Sequence, residues 1–468
     1  MTSLLVAGIV NGSIGGQASS LAIRSPHVLT GSRSETEIHG NVRDNSVAVY
    51  CGIDWAEGHH DIALVDDEGK LVGKRRINES VEGFAELVAM FAELGDSVEA
   101  LIPVAIETPR GLLVAALRAA GRPIYPINPL AVARYRERTA VSGKKSDHID
   151  AMALANILRT DAHLHRMLPD DSDLARSVTV LARAHQDAVW RRTKVVQELR
   201  ARLREYYPGF LTAFGTGSGA GSGLSTTQLA SADARAVLTI GPTPATGSKL
   251  SKARVETALR RGGRQRRIAT VATTVLAALR IPQLRQEQLV EDAMGAEAIA
   301  LLGVLNAICD SVDQLAAATA AAFSQHPDYE IITSFPGLAD TSGAVVLGEI
   351  GDDRSRFADD RSLKAFAGSA PVTKASGKSR SVVRRRTKNN RLAAVGYSWA
   401  FTAAARPSPS RAHYLRRRDH GDGHPAALRH LFNKMLGQLH HCLATGQSFD
   451  PSKGYCQAVT QQPEPVAA

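Results

Sequence analysis

The stretch from Ser46 to about Arg159 changes element type in an order that few architectures accept. Val47, Val49, Cys51 and Ile53 recur at every second position, as in a strand with one buried face. Asp61 to Val65 and Leu71 to Ile77 then flank the turn Asp66-Asp67-Glu68-Gly69, which predicts a three-stranded antiparallel start. Ser80 reads as the N-cap of an amphipathic helix carrying Phe84, Leu87, Val88 and Phe91. An apolar strand from Leu101 to Ile106, a helix from Gly111 to Ala120, a strand from Pro123 to Ile127 and helical segments to about Arg159 complete the unit. The result is β-β-β-α-β-α-β-α, a mixed sheet with helices on its faces.

That order is the one of an RNase H-like domain. Asp54 ends the first strand and Glu107 the fourth, so in such a sheet both carboxylates arrive on adjacent central strands. Lys144-Lys145-Ser146-Asp147-His148-Ile149-Asp150 opens a further helix with Ser146 as N-cap, and Asp147 and Asp150 lie three apart on one face. Four carboxylates brought together repel and raise one another's pKa unless a cation joins them. Oxygen ligands select hard cations such as Mg²⁺, and two such ions activate an attacking oxygen and stabilise a leaving one at phosphorus. Phosphodiester chemistry is the implied reaction class. A single Asp at a strand end is usually a turn or surface residue; four on the right elements argue against chance. His59 and His60 are either ligands or surface residues, with the surface favoured, and His148 reads as structural.

Residues 1–45 are rich in Ser, Gly and Thr and read as a flexible leader; residues 46–165 form the carboxylate domain. Leu174, Val178, Leu181, Ala188, Val195 and Leu199 give a long helix over 172–206, which begins a helical, coiled-coil-like connector over 170–328. The Gly-rich stretch Gly215 to Gly223 interrupts it, and two or three more helices are expected between Ser251 and Gln325. Arg191, Arg192, Lys194, Arg260, Arg261, Arg264, Arg266 and Arg267 make either solvated faces or nucleic-acid contacts. A mainly helical last domain covers 331–456; it opens with Phe335-Pro336-Gly337-Leu338-Ala339, similar to a helix-hairpin-helix turn, and a tail follows over 457–468.

Charge is concentrated rather than spread. The chain nets +10, whereas Arg361 to Lys434 holds 17 Lys/Arg against Asp419 and Asp422 alone, or +15. Such a density faces a polyanion, most often nucleic acid. Cys51, Cys309, Cys442 and Cys456 are too dispersed for a zinc site or a disulfide framework. No apolar run approaches the roughly 18 residues that span a bilayer, which argues against membrane insertion. Leu4 to Val10 lacks a basic flank and is broken at Asn11, so the expected compartment is the cytosol.

Within the basic region, Ala365 to Ser379 is short-residued and turn-prone and reads as a loop. Lys374, Lys378, Arg380, Arg384, Arg385, Arg386, Lys388 and Arg391 follow one another with no acid between them, a candidate nucleic-acid surface. They could lower the pKa of a nearby hydroxyl or stabilise a phosphorane. On composition alone Ser376 is a loop serine.

Gly52-Ile53-Asp54, Ile106-Glu107-Thr108, Lys145-Ser146-Asp147-His148-Ile149-Asp150 and Ala370-Pro371-Val372-Thr373-Lys374-Ala375-Ser376-Gly377, in this order, resemble the DEDD transposases of insertion sequence family one-ten. The resemblance runs from about residue 47 to 450. It implies a RuvC-like amino domain, a helical connector and a carboxy-terminal transposase domain. Asp54, Glu107, Asp147 and Asp150 would bind Mg²⁺, with Mn²⁺ as a substitute, and Ser376 would join covalently to DNA. It further implies donor and target DNA as substrates, a non-coding bridge RNA as guide, a composite site assembled in a dimer or tetramer, and work at the prokaryotic nucleoid. Departures are the long leader, the Gly-rich loop and Ala339 where the hairpin turn has glycine. Competing readings are a RuvC-like nuclease using water, an actin-like ATPase suggested by Gly52-Ile53-Asp54 before a hairpin, and a non-catalytic scaffold that would leave the carboxylates unexplained.

Overall fold

The computed structural model describes residues 48–139, 147–214, 226–377 and 379–455. The leader, Lys144 to Ser146, the Gly-rich stretch, Lys378 and the tail lie outside the described residues. The chain divides into two compact units, Met1–Met167 and Leu168–Ala468.

The first unit follows the predicted order: β1 (Tyr50–Trp55), β2 (His59–Val65), β3 (Leu71–Asn78), α1 (Val81–Glu93), β4 (Val104–Ile106), α2 (Leu112–Ala119), β5 (Ile124–Pro126), α3 (Pro129–Thr139) and α4 (Asp147–Asp161). The sheet runs β3-β2-β1-β4-β5, antiparallel through β1–β2–β3 and parallel through β1–β4–β5. Cys51, Ile53, Ile62, Val104 and Ile106 are sealed from solvent, so β1 and β4 form the centre of the core. Ser80 starts α1 as expected, its Oγ accepting from the Gly83 amide at 3.1 Å. Strands β4 and β5 are shorter than the apolar runs that announced them, because the ladder begins only at Val104 and Ile124.

α4 lies directly on β1. A Cβ on Gly52 would stand 2.0 Å from the Ala151 carbonyl oxygen and 2.5 Å from the Ala155 nitrogen. No other residue lets helix and strand backbones approach this closely. The other face is covered by α1, where the Arg122 guanidinium lies 4.8 Å above the Phe91 ring and pairs with Asp96.

In the second unit, α5 (Asp173–Tyr206) is capped by Ser172, whose Oγ accepts from the Ala175 amide. It packs along the helix Gln288–Phe323. An 18-residue window of that second helix has a mean hydropathy of 1.5 and so passes the length and composition test for crossing a membrane. This corrects the reading of the bare sequence: Ile299, Leu301, Leu302, Val304, Leu305 and Ile308 supply most of that hydropathy, while Glu297 and Asn306 interrupt the apolar run. Its residues Ala298, Leu302, Leu305, Cys309 and Val312 are buried in the fold. Two apolar cores form in this unit. One gathers Leu203, Tyr207, Phe210, Val237, Leu276 and Leu305; the other gathers Phe323, Phe335, Leu392, Trp399, Phe432 and Leu436. The carboxy-terminal part is mainly helical, with one hairpin of β6 (Val372–Ser376) and β7 (Ser379–Val383). Cys51, Cys309 and Cys442 are free and buried.

Candidate functional site

Asp54 is the fifth residue of β1, on the face that receives α4, and Glu107 follows β4 immediately. Asp147 and Asp150 stand in the first turn of α4, held over β1 by the contact at Gly52. Burial, followed by the charges of Asp150, Glu107, Asp147 and Asp61, raises Asp54 from 3.8 to about 7. The other three carboxylates singled out in the sequence therefore all act on Asp54.

Asp61 is a fifth carboxylate that the sequence did not single out. It stands opposite Asp54 in the β1–β2 register, and its signal is the length of the turn from Ala56 to Gly58. Possible ligand atoms of His59, Asp61 and Asp147 all lie within 4.8 Å of one another. Cationic side chains border the group. Arg76 donates to Asp61 at 2.7 and 3.2 Å and to Asp147 at 3.3 Å, and Asp61 foremost pushes its guanidinium pKa up. Arg136 pairs with Asp150, which is 7% exposed. Carboxylate oxygens with one imidazole suit a divalent cation, and the crowding that raises Asp54 is what such a cation relieves.

The expectation that His60 lies at the surface is overturned. Period-two alternation sends it, with Ile62, to the face opposite Asp54, where it is fully buried and burial lowers its pKa. Neither ring nitrogen finds a partner among the described residues. His59 keeps partial exposure beside Asp61, and His148 is half-buried.

The second candidate centre lies in the other unit. The expected loop around Ser376 is a hairpin: Val372 pairs with Val383, Lys374 with Ser381 and Ser376 with Ser379. Gly377 takes φ +54° in the two-residue turn, the conformation such turns require. Ser376 is thus the exposed last residue of β6, and alternation places Lys374 on its face and Arg380 on the other. Val372, Lys374, Val383 to Lys388 line an adjoining cavity of about 770 Å³. Arg391 differs from its neighbours: it donates to Asp187 at 2.8 and 3.0 Å and to Gln186 at 3.0 Å, with its guanidinium 5.0 Å from the Trp190 ring. Ser369 is buried, donating to the Lys364 carbonyl and accepting from Asn433. Among the bases of the connector, Arg264 pairs with Asp233 and Arg260 with Glu256.

Two family models match. The transposase model DEDD_Tnp_IS110 covers residues 51–208, and the model described as transposase, IS116/IS110/IS902 family, covers residues 329–415. The mini-circle candidate transposase for IS117 of Streptomyces coelicolor is 53% identical over 88% of this chain and 98% of its own length. The uncharacterized 42 kDa protein of insertion element IS900 from Mycobacterium paratuberculosis is 27% identical over 86% of this chain and 98% of its own. The uncharacterized 43.6 kDa protein of insertion element IS110 from Streptomyces coelicolor is 25% identical over 86% and 96% respectively. Both carboxylate and serine regions fall inside matched segments, and the chain belongs to the IS110 family of DEDD transposases, enzymes that cleave and rejoin DNA.

Proposed function

We propose that this transposase performs Mg²⁺-dependent, RNA-guided DNA recombination through a covalent serine intermediate. The observation that carries the reading is the shared site of Asp54, Glu107, Asp147 and Asp150, in which Asp54 is raised to about 7 by burial and its neighbours. In this reading residues 46–165 are an RNase H-like, RuvC-like domain, 170–328 a helical connector and 331–456 the transposase domain. The four carboxylates would hold Mg²⁺, or Mn²⁺ in its place. The bound cation supplies charge neutralisation at the phosphoryl oxygens and lowers the cost of an oxyanion.

Ser376 is the proposed nucleophile. Its Oγ–H proton leaves, the oxygen forms a bond to phosphorus and one ester oxygen of the strand departs as a hydroxyl; rejoining reverses the exchange with a different strand end. Lys374, Lys378, Arg380, Arg384, Arg385, Arg386 and Lys388 would hold the phosphates around it; Arg391, carried in the same run, would add to the field from within its ion pair. Family membership supports the composite assembly: a dimer or tetramer in which carboxylates and serine come from different subunits, with a bridge RNA pairing to donor and target DNA. The proposed compartment is the cytoplasm, at the nucleoid. The test is recombination between donor and target plasmids with the element's flanking RNA supplied or omitted, in Mg²⁺ or chelator. Product only with both RNA and cation is the expected result; product without either would overturn the corresponding part.

A further inference from the structure

In the second unit, the helices Ala232–Ile240 and Lys252–Arg261 line a cleft of about 630 Å³. Arg254, Thr257, Ala258 and Arg261 recur at helical spacing and turn one side of the later helix to it; Arg235 and Thr239 come from the earlier one, and Asn306 of the helix Gln288–Phe323 completes the lining. At one end the two backbones nearly touch, since a Cβ on Gly262 would stand 3.0 Å from the Ala232 carbonyl. Three guanidiniums thus share a space that no carboxylate lines. The acids of these two helices are engaged elsewhere, Asp233 by Arg264 and Glu256 by Arg260, and no ion pair engages Arg235, Arg254 or Arg261 among the described residues. Arg235 is also fixed in place. Its Nε donates to the Ala230 carbonyl at 3.1 Å and its Nη1 to the Asn306 carboxamide oxygen at 2.7 Å, which leaves the other N–H groups of the guanidinium for a ligand. Thr239 and Thr257 donate their hydroxyl protons to the Arg235 and Ala253 carbonyls of their own helices, so neither offers a proton to a ligand.

We propose that this cleft holds the sugar–phosphate backbone of one strand of DNA, at a binding site that shares no residue with the carboxylate cluster or the Ser376 hairpin. A single small anion does not account for it: Arg254 and Arg261 lie seven residues apart, about 10 Å along the helix axis, farther than one phosphate reaches. Successive phosphates of a strand match that spread, and the enzyme acts on DNA. Guanidinium forks suit phosphate oxygens, and the alanine side chains between them accept the apolar face of a deoxyribose. Contacts of this kind position a duplex without reading its bases. The cleft therefore adds affinity and fixes the lie of the DNA whatever its sequence. This inference needs neither a metal ion nor Ser376; it rests only on DNA being the substrate.

The test is duplex binding by the full-length protein in chelator, measured across a range of salt concentrations. Arg254→Gln combined with Arg261→Gln should lower the slope of log affinity against log salt by about 1.8, or about 0.9 for each phosphate no longer neutralised. Both side chains are exposed, so the Tm should stay at the wild-type level. Arg266→Gln combined with Arg267→Gln removes the same charge from exposed positions outside the cleft and should leave the slope near its wild-type value. Thr257→Trp fills the cleft without changing its charge and should weaken duplex binding while the Tm holds. An unchanged slope in the Arg254 and Arg261 variant would make these arginines a solvated face and overturn the proposal. An equal drop in the Arg266 and Arg267 variant would overturn it too, by spreading the effect over a general basic surface, as would wild-type affinity in Thr257→Trp. A hairpin RNA in place of the duplex separates the two polyanions: a drop in slope with the RNA and none with the DNA would assign the cleft to RNA and overturn the proposal.

Discussion

Asp54 and Asp61 stand directly across from each other in the β1–β2 ladder, two carboxylates at a spacing where like charges destabilise a sheet. Asp54 is raised to about 7 by burial first and then by its acidic neighbours. The sign of the consequence is fixed: folding favours its protonated form, so its stabilising contribution is complete below about pH 4 and is lost as pH rises through about 7. In chelator, the Tm of the wild type should fall relative to Asp54→Asn between about pH 5 and about pH 8, and a divalent cation should restore it. Parallel Tm profiles for the two proteins would contradict the proton held at Asp54.

Gly52→Ala should destabilise the first unit by about 3 kcal/mol or more, because its Cβ would meet backbone atoms, which cannot rotate away. Denaturant unfolding checks this. A loss below about 1 kcal/mol would mean that α4 slides without difficulty, and the fixed placement of Asp147 and Asp150 over Asp54 would go with it.

Ser376→Ala should leave stability within about 0.5 kcal/mol of wild type, since the side chain is exposed at the end of β6. It should nevertheless abolish a denaturant-resistant protein–DNA adduct formed on a nicked or mismatched target that stalls rejoining, and Ser379→Ala should retain that adduct. An adduct from Ser376→Ala at the wild-type level would place the nucleophile elsewhere. No adduct from any variant would favour a nuclease that uses water.

Replacing Arg384, Arg385 and Arg386 by Gln should flatten the slope of log affinity for DNA against log salt by roughly two to three, about 0.9 for each phosphate no longer neutralised. Arg391→Ala should behave differently, because its guanidinium is held by Asp187, Gln186 and Trp190. It should cost about 1–2 kcal/mol of stability and change the slope little. Titrations at several salt concentrations, paired with thermal melts, distinguish the two behaviours.

The sheet was legible because its strands are apolar and bounded by turn residues, and Asp54 and Glu107 were legible because they terminate such strands. Asp61 was hidden by a register effect: only the four-residue link between Trp55 and His60 brings it opposite Asp54. His60 was misplaced for the same reason, since a polar name outweighed its position in phase with Ile62. Arg76 and Arg136 could not be read as counter-ions, because their partners Asp147 and Asp150 are distant in sequence or belong to another helix. The Ser376 hairpin was mistaken for a loop because Thr373, Lys374 and Ser381 replace the apolar residues that usually announce paired strands. The glycine directly after Ser376 was the available signal.

α5 contributes Val178 and Ala182 to one apolar core and Val196, Leu199 and Leu203 to the other. A single rod running through two cores gives neither a melting point of its own, since loosening one end frays the stripe that supports the other. The carboxy-terminal serine region is therefore not a portable module. Excised from residue 331 onward, it would leave behind the turn of α5 against which Val346 and Leu347 share a core, so engineered recombinases built from this chain have to carry the long helix with them.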